Sequence, residues 1–390
     1  MIKFSERMSR LGTETAFEVL AKAKALEAKG KEVVHLEIGE PDFDTPQNVI
    51  DAAIKAMNGG QTHYSPAAGV PALREALAED MSRRRNIKIN PSQIVVTPGG
   101  KPIMFFSILA LVNEGDEVMY PNPGFPIYES VIDFVGAKSV PYPLREEKEF
   151  RFDVDEFMSL ITDKTKMIIL NSPQNPTGGI LTKEDLEAVA KVAQEKNIYI
   201  LSDEIYINII YEGEHQTIAA IPGMQERTII LDGFSKTYAM TGWRLGYGAM
   251  PEALAEKVTQ LQINSNSCTC TFSQYGAMEA VTGPQDEVFK MVAEFKKRRD
   301  VIVDGLNQID GIGCLRPHGA FYVFPNVKEL GIDGKKFSDF LLEKYGVAAL
   351  SGTAFGKYGE GYLRFSYANS VENIEKALDR IGQAAKAVRK

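Results

Sequence analysis

Short apolar runs alternate with segments of helical spacing along the middle of the chain. The runs are rich in Ile, Val and Leu and predict buried strands. Residues 182–195 carry apolar positions on one helical face, and Thr182 followed by acidic residues marks a helix start. Strands that alternate with helices predict an α/β fold with a mostly parallel sheet covered on both faces. The predicted strands are residues 94–97, 117–120, 167–170, 199–202, 228–231 and 245–249.

The pattern changes on either side of this central region. Residues 17–29 predict an amphipathic helix, and residues 33–38 predict a short strand. After about residue 285, charged helices flank a shorter β region. A chain of 390 residues is too long for one ordinary core, so we predict a large and a small domain. The boundaries are residues 45–285 for the large domain, residues 286–390 for the small domain, and residues 1–44 for an amino-terminal arm that joins the small domain.

Charge and composition exclude several classes of function. The net charge of −8 argues against nucleic acid or an anionic membrane as the main partner, because both favour basic surfaces. The three cysteines and four histidines show neither a disulfide framework nor the spacing of a metal site. No apolar run is long enough to span a membrane, and the first residues lack the apolar core of a secretory signal. We therefore expect a cytoplasmic protein with no metal.

Functional groups follow five of the predicted strands. Since the carboxyl ends of parallel strands meet at one edge of a sheet, these groups are expected to lie close together, where α/β sheets bind ligands. The glycines before Lys101 precede an apolar helix, a suitable place for a phosphate. In order along the chain, the groups are Gly100 and Lys101, Phe125, Asn175, Asp203 with Tyr206, and Ser235 with Lys236.

Two of these groups indicate a particular ligand. Asp203 directly follows an apolar strand, and a buried carboxylate needs a cation, either a structural arginine or a protonated heterocycle nitrogen. Lys236 lies among small residues and suits a Schiff-base amine, although a solvated loop lysine is the ordinary alternative. Pyridoxal phosphate has a phosphate, a flat ring, a phenolic oxygen, a ring nitrogen and an aldehyde. The five strand ends together match what that cofactor needs.

Three motifs, in order, resemble the fold-type I pyridoxal-phosphate aminotransferases of class I/II, in particular the aspartate aminotransferase-like members. They are Asn-Pro-Thr-Gly at 175–178, Ser-Asp-Glu-Ile-Tyr at 202–206, and Ser-Lys-Thr-Tyr-Ala-Met-Thr-Gly-Trp-Arg at 235–244. The similarity runs from Ile38 to Arg364. It implies a large cofactor-binding domain with a mostly parallel seven-stranded sheet covered by helices, plus a smaller α+β domain.

The resemblance also implies roles at the cofactor. Lys236 matches the lysine that binds the cofactor covalently and moves the substrate proton. Asp203 matches the partner of the ring nitrogen, and Asn175 and Tyr206 match the groups that hydrogen-bond the phenolic oxygen. Phe125 stands where the family stacks an aromatic ring. The residues that match the phosphate site are Gly100, Lys101, Ser235 and Arg244.

Further matches concern the substrate and a second subunit. Arg364 matches the arginine that binds the substrate α-carboxylate, for which a planar guanidinium is well suited. Gly39 matches a backbone contact to the same carboxylate, and Asn175 also borders the substrate. Tyr64 matches a tyrosine that reaches the cofactor phosphate of the other subunit. The resemblance therefore implies a homodimer.

The implied reaction transfers the amino group of an L-amino acid to a 2-oxo acid such as 2-oxoglutarate. Aspartate is the first candidate donor, because some relatives use a lysine placed like Lys101 to bind the distal carboxylate. Residues 262–268 lack the arginine that other aspartate-specific members carry, so alanine and aromatic donors stay open.

Three other functions are alternatives to this one. A C–S β-lyase of the same fold would share most cofactor residues. A nicotinamide oxidoreductase would need a GxGxxG turn after its first strand, and none is found. A non-enzymatic regulator with an aminotransferase-like domain would need a DNA-reading module ahead of the first motif, where only a short arm is expected.

Overall fold

The computed structural model of the protein describes residues 2–389, which form thirteen α-helices and twelve strands. The helices are α1 (Ala16–Glu27), α2 (Gln47–Asn58), α3 (Pro71–Arg85), α4 (Lys101–Leu111), α5 (Ile127–Phe134), α6 (Val154–Ser159), α7 (Lys183–Lys196), α8 (Phe234–Thr237), α9 (Glu252–Asn266), α10 (Thr271–Thr282), α11 (Asp286–Asn307), α12 (Gly334–Phe340) and α13 (Val371–Val388). The strands are β1 (Val34–His35), β2 (Ile94–Thr97), β3 (Glu117–Asn122), β4 (Lys138–Pro143), β5 (Thr165–Asn171), β6 (Tyr199–Asp203), β7 (Thr228–Gly233), β8 (Gly246–Ala249), β9 (Tyr322–Val323), β10 (Val347–Ala348), β11 (Leu350–Ser351) and β12 (Leu363–Ser366).

Seven of these strands form one sheet in the order β2-β8-β7-β6-β5-β3-β4. Strand β8 is antiparallel to both of its neighbours, and the remaining pairs are parallel. The predicted α/β fold with a mostly parallel seven-stranded sheet is confirmed. The carboxyl ends of β2, β3, β5, β6 and β7 therefore lie along one edge of the sheet.

Helices cover both faces of this sheet, as the apolar strands require. Met167 and Ile169 of β5 pack with α4, α5 and α9, whereas Ile168 and Leu170 pack with α6 and α7 on the other face. Alternate side chains of a strand point to opposite faces, so both rows are apolar. Helix α7 begins as predicted, because the Thr182 hydroxyl accepts a hydrogen bond from the Asp185 N–H at 3.3 Å.

A second set of elements comes from both ends of the chain. Strand β1 pairs in parallel with β10, and β11, β12 and β9 form a small antiparallel sheet. Helices α11 and α13 pack on these strands through an apolar cluster that includes Phe295, Ile302 and Ile381. The amino-terminal strand thus joins the carboxy-terminal region, while the proposed boundaries stay a prediction. Within residues 2–389, no helix has the length and apolar character needed to cross a bilayer.

Candidate active site

A cavity of about 570 Å³ lies at the carboxyl-end edge of the large sheet. It is closed on its other sides by residues near the amino terminus and by the small antiparallel sheet. All of the residues predicted from the sequence to form the site line this cavity, with the exception of Tyr64. They are Gly39, Gly100, Lys101, Phe125, Asn175, Asp203, Tyr206, Ser235, Lys236, Arg244 and Arg364.

Lys236 lies in the single turn α8, directly after β7, and is half-buried. Its Nζ donates a hydrogen bond to the Gly39 carbonyl oxygen at 2.6 Å. Burial lowers the pKa of the Lys236 amine to about 8, and the positive charges of Arg364 and Arg244 act in the same direction. More of this amine is therefore uncharged near neutral pH than of an ordinary lysine, and the uncharged form is the one that a nucleophile or proton acceptor requires.

Asp203 ends strand β6 and is buried. The Tyr128 hydroxyl donates to its Oδ2 at 2.6 Å, and the Ile205 N–H donates to its Oδ1 at 3.2 Å. Burial raises the pKa of the Asp203 carboxyl to about 6, although these two hydrogen bonds oppose the rise. A cation that entered the cavity beside Asp203 would restore its charge.

A structural arginine is the alternative partner for Asp203, but the buried Arg85 pairs with two other carboxylates. Arg85 is fully buried and contacts Glu204 at 2.6 Å and Asp232 at 2.9 Å. In the described part of the chain, Asp203 has no ion pair with a lysine, arginine or histidine. A buried carboxylate that lines a cavity and has no ion-pair partner among residues 2–389 fits a ligand that brings a positively charged nitrogen.

Arg364 lies on β12, opposite the sheet edge, and is buried. Its Nη1 donates to Asn175 Oδ1 at 3.1 Å and its Nη2 donates to the Glu37 carbonyl oxygen at 2.5 Å. Its Nε is buried and has no hydrogen-bond partner within residues 2–389, where it also forms no ion pair. Burial lowers the pKa of this guanidinium from its usual range. A carboxylate ligand would supply both the missing acceptor and the missing charge.

Asn175 and Tyr206 are held in place by neighbours from other elements. The Asn175 N–H donates to Asn171 Oδ1 at 2.9 Å, which fixes the loop that follows β5. The hydroxyl groups of Tyr206 and Tyr322 lie 2.8 Å apart. Both side chains therefore present polar atoms to the cavity from fixed positions.

The loop after β2 brings backbone close to a guanidinium. Gly99 has φ +89°, and a Cβ on this residue would lie 2.2 Å from Arg244 Nη2. Helix α4 follows directly, with Gly100 as its N-cap residue, and Ser235 borders the same cavity. Free N–H groups at a helix start, a hydroxyl and an arginine together suit a phosphate.

Lys101 and Phe125 lie beside each other at the cavity wall. Lys101 Nζ is 5.5 Å from the centre of the Phe125 ring and forms an ion pair with Glu14. Phe125 also packs edge-on against Tyr128, with ring centres 5.6 Å apart. The sequence predicted the positions of Lys101 and Phe125 at the site but not the contact with Glu14.

Tyr64 is 89% exposed and does not line the cavity of its own chain. Its expected place is at the site of a second subunit, which a single chain does not test. That role stays a prediction.

Sequence reasoning missed several residues of the site. Tyr128 is the hydrogen-bond donor to Asp203. The Tyr322 hydroxyl contacts that of Tyr206, and the centre of the Tyr322 ring lies 4.5 Å from Arg364 Cζ. Neither lies in one of the three recognised motifs, so no local signal distinguished them from core tyrosines. The other missed residues that enclose the cavity include Glu14, Phe17, Glu40, Thr241 and Phe355.

Known proteins resemble this chain along most of its length. The model of the family described as aminotransferase class I and II matches residues 31–381. An aspartate aminotransferase from Pyrococcus abyssi is 44% identical over 355 residues, covering 90% of this chain and 91% of that protein. The aromatic-amino-acid aminotransferase 2 of Thermococcus litoralis is 42% identical over 358 residues, covering 91% of this chain and 92% of that protein. The solved structure of an aspartate aminotransferase from Thermus thermophilus with maleate has a TM-score of 0.95 at 37% identity, covering 98% of this chain and 100% of the other.

These similarities agree with the chemistry of the cavity. The relatives are named aminotransferases, so the C–S β-lyase alternative is not favoured. The family depends on pyridoxal phosphate, and the unpaired buried carboxylate, the low-pKa amine and the loop beside Arg244 fit that group. The chain belongs to the class I and II aminotransferases and is a pyridoxal-phosphate-dependent transaminase.

Proposed function

We propose that this transaminase moves the amino group of an L-amino acid to a 2-oxo acid such as 2-oxoglutarate, with aspartate as the preferred donor. Alanine and aromatic amino acids are the further candidates. The observation that carries the proposal is Arg364, a buried guanidinium that forms no ion pair within residues 2–389 and shares a cavity with Lys236. An α-carboxylate common to all these substrates fits that guanidinium.

Pyridoxal phosphate, when bound, supplies an aldehyde that takes up the amino group and a protonated ring that accepts the electron pair released at the substrate Cα. We assign Lys236 to covalent attachment of the cofactor and to proton transfer at that Cα. The negative charge of Asp203 would keep the ring nitrogen protonated. Asn175 and Tyr206 would donate hydrogen bonds to the phenolic oxygen, and Phe125 would contact the ring. Gly100, Lys101, Ser235 and Arg244 would hold the phosphate, and Gly39 and Asn175 would contact the substrate carboxylate beside Arg364.

Gly99→Ala should weaken the binding of pyridoxal phosphate about tenfold, because strain at a positive φ is added to a clash with the Arg244 guanidinium. Titration of the apoprotein with the cofactor, followed by absorbance, measures the change. Gly115→Ala is the matched control, since Gly115 has φ +87° and a Cβ added there would meet no atom within 4 Å. Equal losses in the two variants would show that backbone strain alone is responsible.

The capture of the cofactor by the apoprotein should speed up as the pH rises and level off above about pH 8. Attack needs the uncharged amine, and the lowered pKa of Lys236 leaves about one tenth of it uncharged at pH 7, against less than about one in a thousand for an ordinary lysine. Stopped-flow absorbance between pH 6 and pH 10 measures the rate. A rate that continues to rise up to pH 10 would contradict the lowered pKa.

Arg364→Lys should lower kcat/KM by about 30- to 1000-fold, which corresponds to about 2–4 kcal/mol. An ammonium keeps the charge but loses the planar pair of donors that a carboxylate accepts. Steady-state kinetics with aspartate and 2-oxoglutarate measure the effect. Arg316→Lys is the control, because Arg316 forms its ion pairs with Asp300 and Asp304 away from the cavity. An equal loss of kcat/KM in both variants would show that Arg364 does not bind the substrate.

Support for the choice of donor comes from the cavity wall and from the relatives. Lys101 offers a positive charge to a distal carboxylate, and two of the three relatives described above are named aspartate aminotransferases. The rings of Phe17, Phe125 and Phe355 provide apolar surface for an aromatic donor, in agreement with the third relative.

A panel of amino donors with 2-oxoglutarate as acceptor tests the proposal. We expect glutamate to be formed from aspartate with the highest kcat/KM, and from alanine and phenylalanine with lower values. Release of pyruvate and ammonia from a cystathionine-like substrate, with no glutamate formed from any donor, would support the lyase instead.

We also propose that the enzyme is a cytoplasmic homodimer in which Tyr64 reaches the cofactor phosphate of the other subunit. The support is the family resemblance at Tyr64 together with its 89% exposure in one chain. Light scattering should give twice the chain mass, and Tyr64→Phe should weaken cofactor binding in the dimer. A monomeric holoenzyme with full activity would exclude this arrangement.

A further inference from the structure

Glu14 lies just ahead of α1 and lines the cavity, although no sequence motif places it there. Its carboxylate forms an ion pair with the Lys101 ammonium at the start of α4. The Glu14 side chain is 19% exposed and that of Lys101 is 51% exposed, so the pair lies at the rim of the cavity. This ion pair joins the amino-terminal segment to the large sheet region at the site.

The negative charge of Glu14 also acts on the groups deeper in the cavity. It is one of the charges that raise the pKa of the Arg364 guanidinium and of the Lys236 amine, against the larger lowering effect of burial. A substrate that binds Arg364 through its α-carboxylate occupies the same cavity as Glu14 and Lys101. The substrate side chain is then the part of the molecule that can contact the Glu14–Lys101 ion pair.

Acidic and neutral substrate side chains would interact differently with the Glu14–Lys101 ion pair. A distal carboxylate that contacts Lys101 must displace the Glu14 carboxylate or accept a like charge beside it, and both reduce its affinity. A neutral or aromatic side chain leaves the ion pair intact and contacts the apolar wall, which includes Phe17 and Phe355.

We propose that Glu14 is a specificity-determining residue that competes with acidic substrates for Lys101 and thereby allows neutral and aromatic amino acids to be used beside aspartate. The proposal rests on the assignment of this cavity to the amino-acid substrate. It concerns the range of substrates and leaves the chemistry at Lys236 unchanged.

The kinetic test compares Glu14→Gln with the wild-type holoenzyme. We expect the ratio of kcat/KM for aspartate to that for phenylalanine to rise about three- to fivefold, the range for one partly exposed ion pair. Glu18→Gln is the matched control, because Glu18 is an exposed carboxylate of the same segment that does not line the cavity. The control should leave the ratio unchanged.

A binding test gives a second readout that does not depend on turnover. Succinate carries two carboxylates and butyrate carries one on the same four-carbon chain. Calorimetry on the holoenzyme should show that Glu14→Gln increases the affinity for succinate about three- to fivefold more than the affinity for butyrate. Lys101→Met should do the opposite and weaken succinate more than butyrate, since it removes the charge for which the carboxylates compete.

The outcomes separate the two proposals. An unchanged aspartate-to-phenylalanine ratio in Glu14→Gln, or equal effects of that variant on succinate and butyrate, would overturn the role of Glu14. Weaker binding of both acids in both variants would show that the ion pair only holds the amino-terminal segment in place, which also overturns it. If the wild-type enzyme uses no donor with 2-oxoglutarate, the proposed function fails, whereas the succinate and butyrate comparison still tests Glu14.

Discussion

Lys236→Ala should yield a folded protein that has lost transamination by about 10⁴-fold or more. The variant lacks the amine that we assign both to attachment of the cofactor and to transfer of the substrate proton. Its folding should be preserved, because the hydrogen bond that the Lys236 Nζ donates to the Gly39 carbonyl oxygen lies at the cavity and not in the apolar core. Steady-state kinetics with aspartate measure the loss of transamination. The mass of the intact protein after reduction with borohydride measures the loss of the covalently attached cofactor.

The matched control is Lys257→Ala, since Lys257 is an exposed lysine of α9 that does not line the cavity. This variant should keep both turnover and the covalent cofactor. Turnover within tenfold of the wild type in Lys236→Ala would assign the attachment to another group. Lys101 would then be the next lysine to examine, since it also borders the cavity.

Asp203→Asn should lower kcat/KM by about 10²- to 10³-fold and weaken the binding of pyridoxal phosphate. The amide keeps the size of the side chain. Its oxygen can accept from the Ile205 N–H while its NH2 group donates to the Tyr128 hydroxyl, so the change removes mainly the negative charge. In the role that we propose for Asp203, the loss of that charge would favour an unprotonated ring nitrogen and so a weaker electron acceptor. Kinetics with aspartate and a cofactor titration measure the effects.

Tyr128→Phe distinguishes the charge of Asp203 from its hydrogen bond. The hydroxyl of Tyr128 lowers the pKa of the Asp203 carboxyl, so its removal should raise that pKa further but leave the carboxylate in place. We expect a loss of about three- to tenfold, much smaller than for Asp203→Asn. Similar losses in the two variants would mean that Asp203 serves mainly to hold Tyr128.

The parts of the fold that follow from local pattern were predicted correctly. The five strands that carry site residues at their carboxyl ends are apolar runs with buried faces, and each was placed within two residues of its start. Strand β4, residues Lys138–Pro143, was missed. It contains Pro141 and Pro143 and lies at the sheet edge, where proline is tolerated but the usual strand pattern is weak.

The candidate site likewise contains residues that the sequence predicted and contacts that it did not. Lys236, Asp203 and Asn175 belong to contiguous motifs, so the sequence alone placed them at strand ends. The contact between Glu14 and Lys101 joins positions 87 residues apart, and neither residue has a motif that refers to the other. Such pairs depend on how distant segments meet in three dimensions, and one sequence does not contain that information.

The position of Arg364 determines when, during synthesis of the chain, the candidate site becomes complete. Every residue that we assign to the cofactor lies before residue 245, whereas Arg364 is on β12, near the carboxyl terminus. A ribosome that has synthesised two thirds of the chain has therefore supplied the groups that we assign to pyridoxal phosphate, but not the guanidinium that we assign to the substrate α-carboxylate. A nascent or prematurely terminated polypeptide of that length would lack the arginine that we propose to anchor every candidate donor.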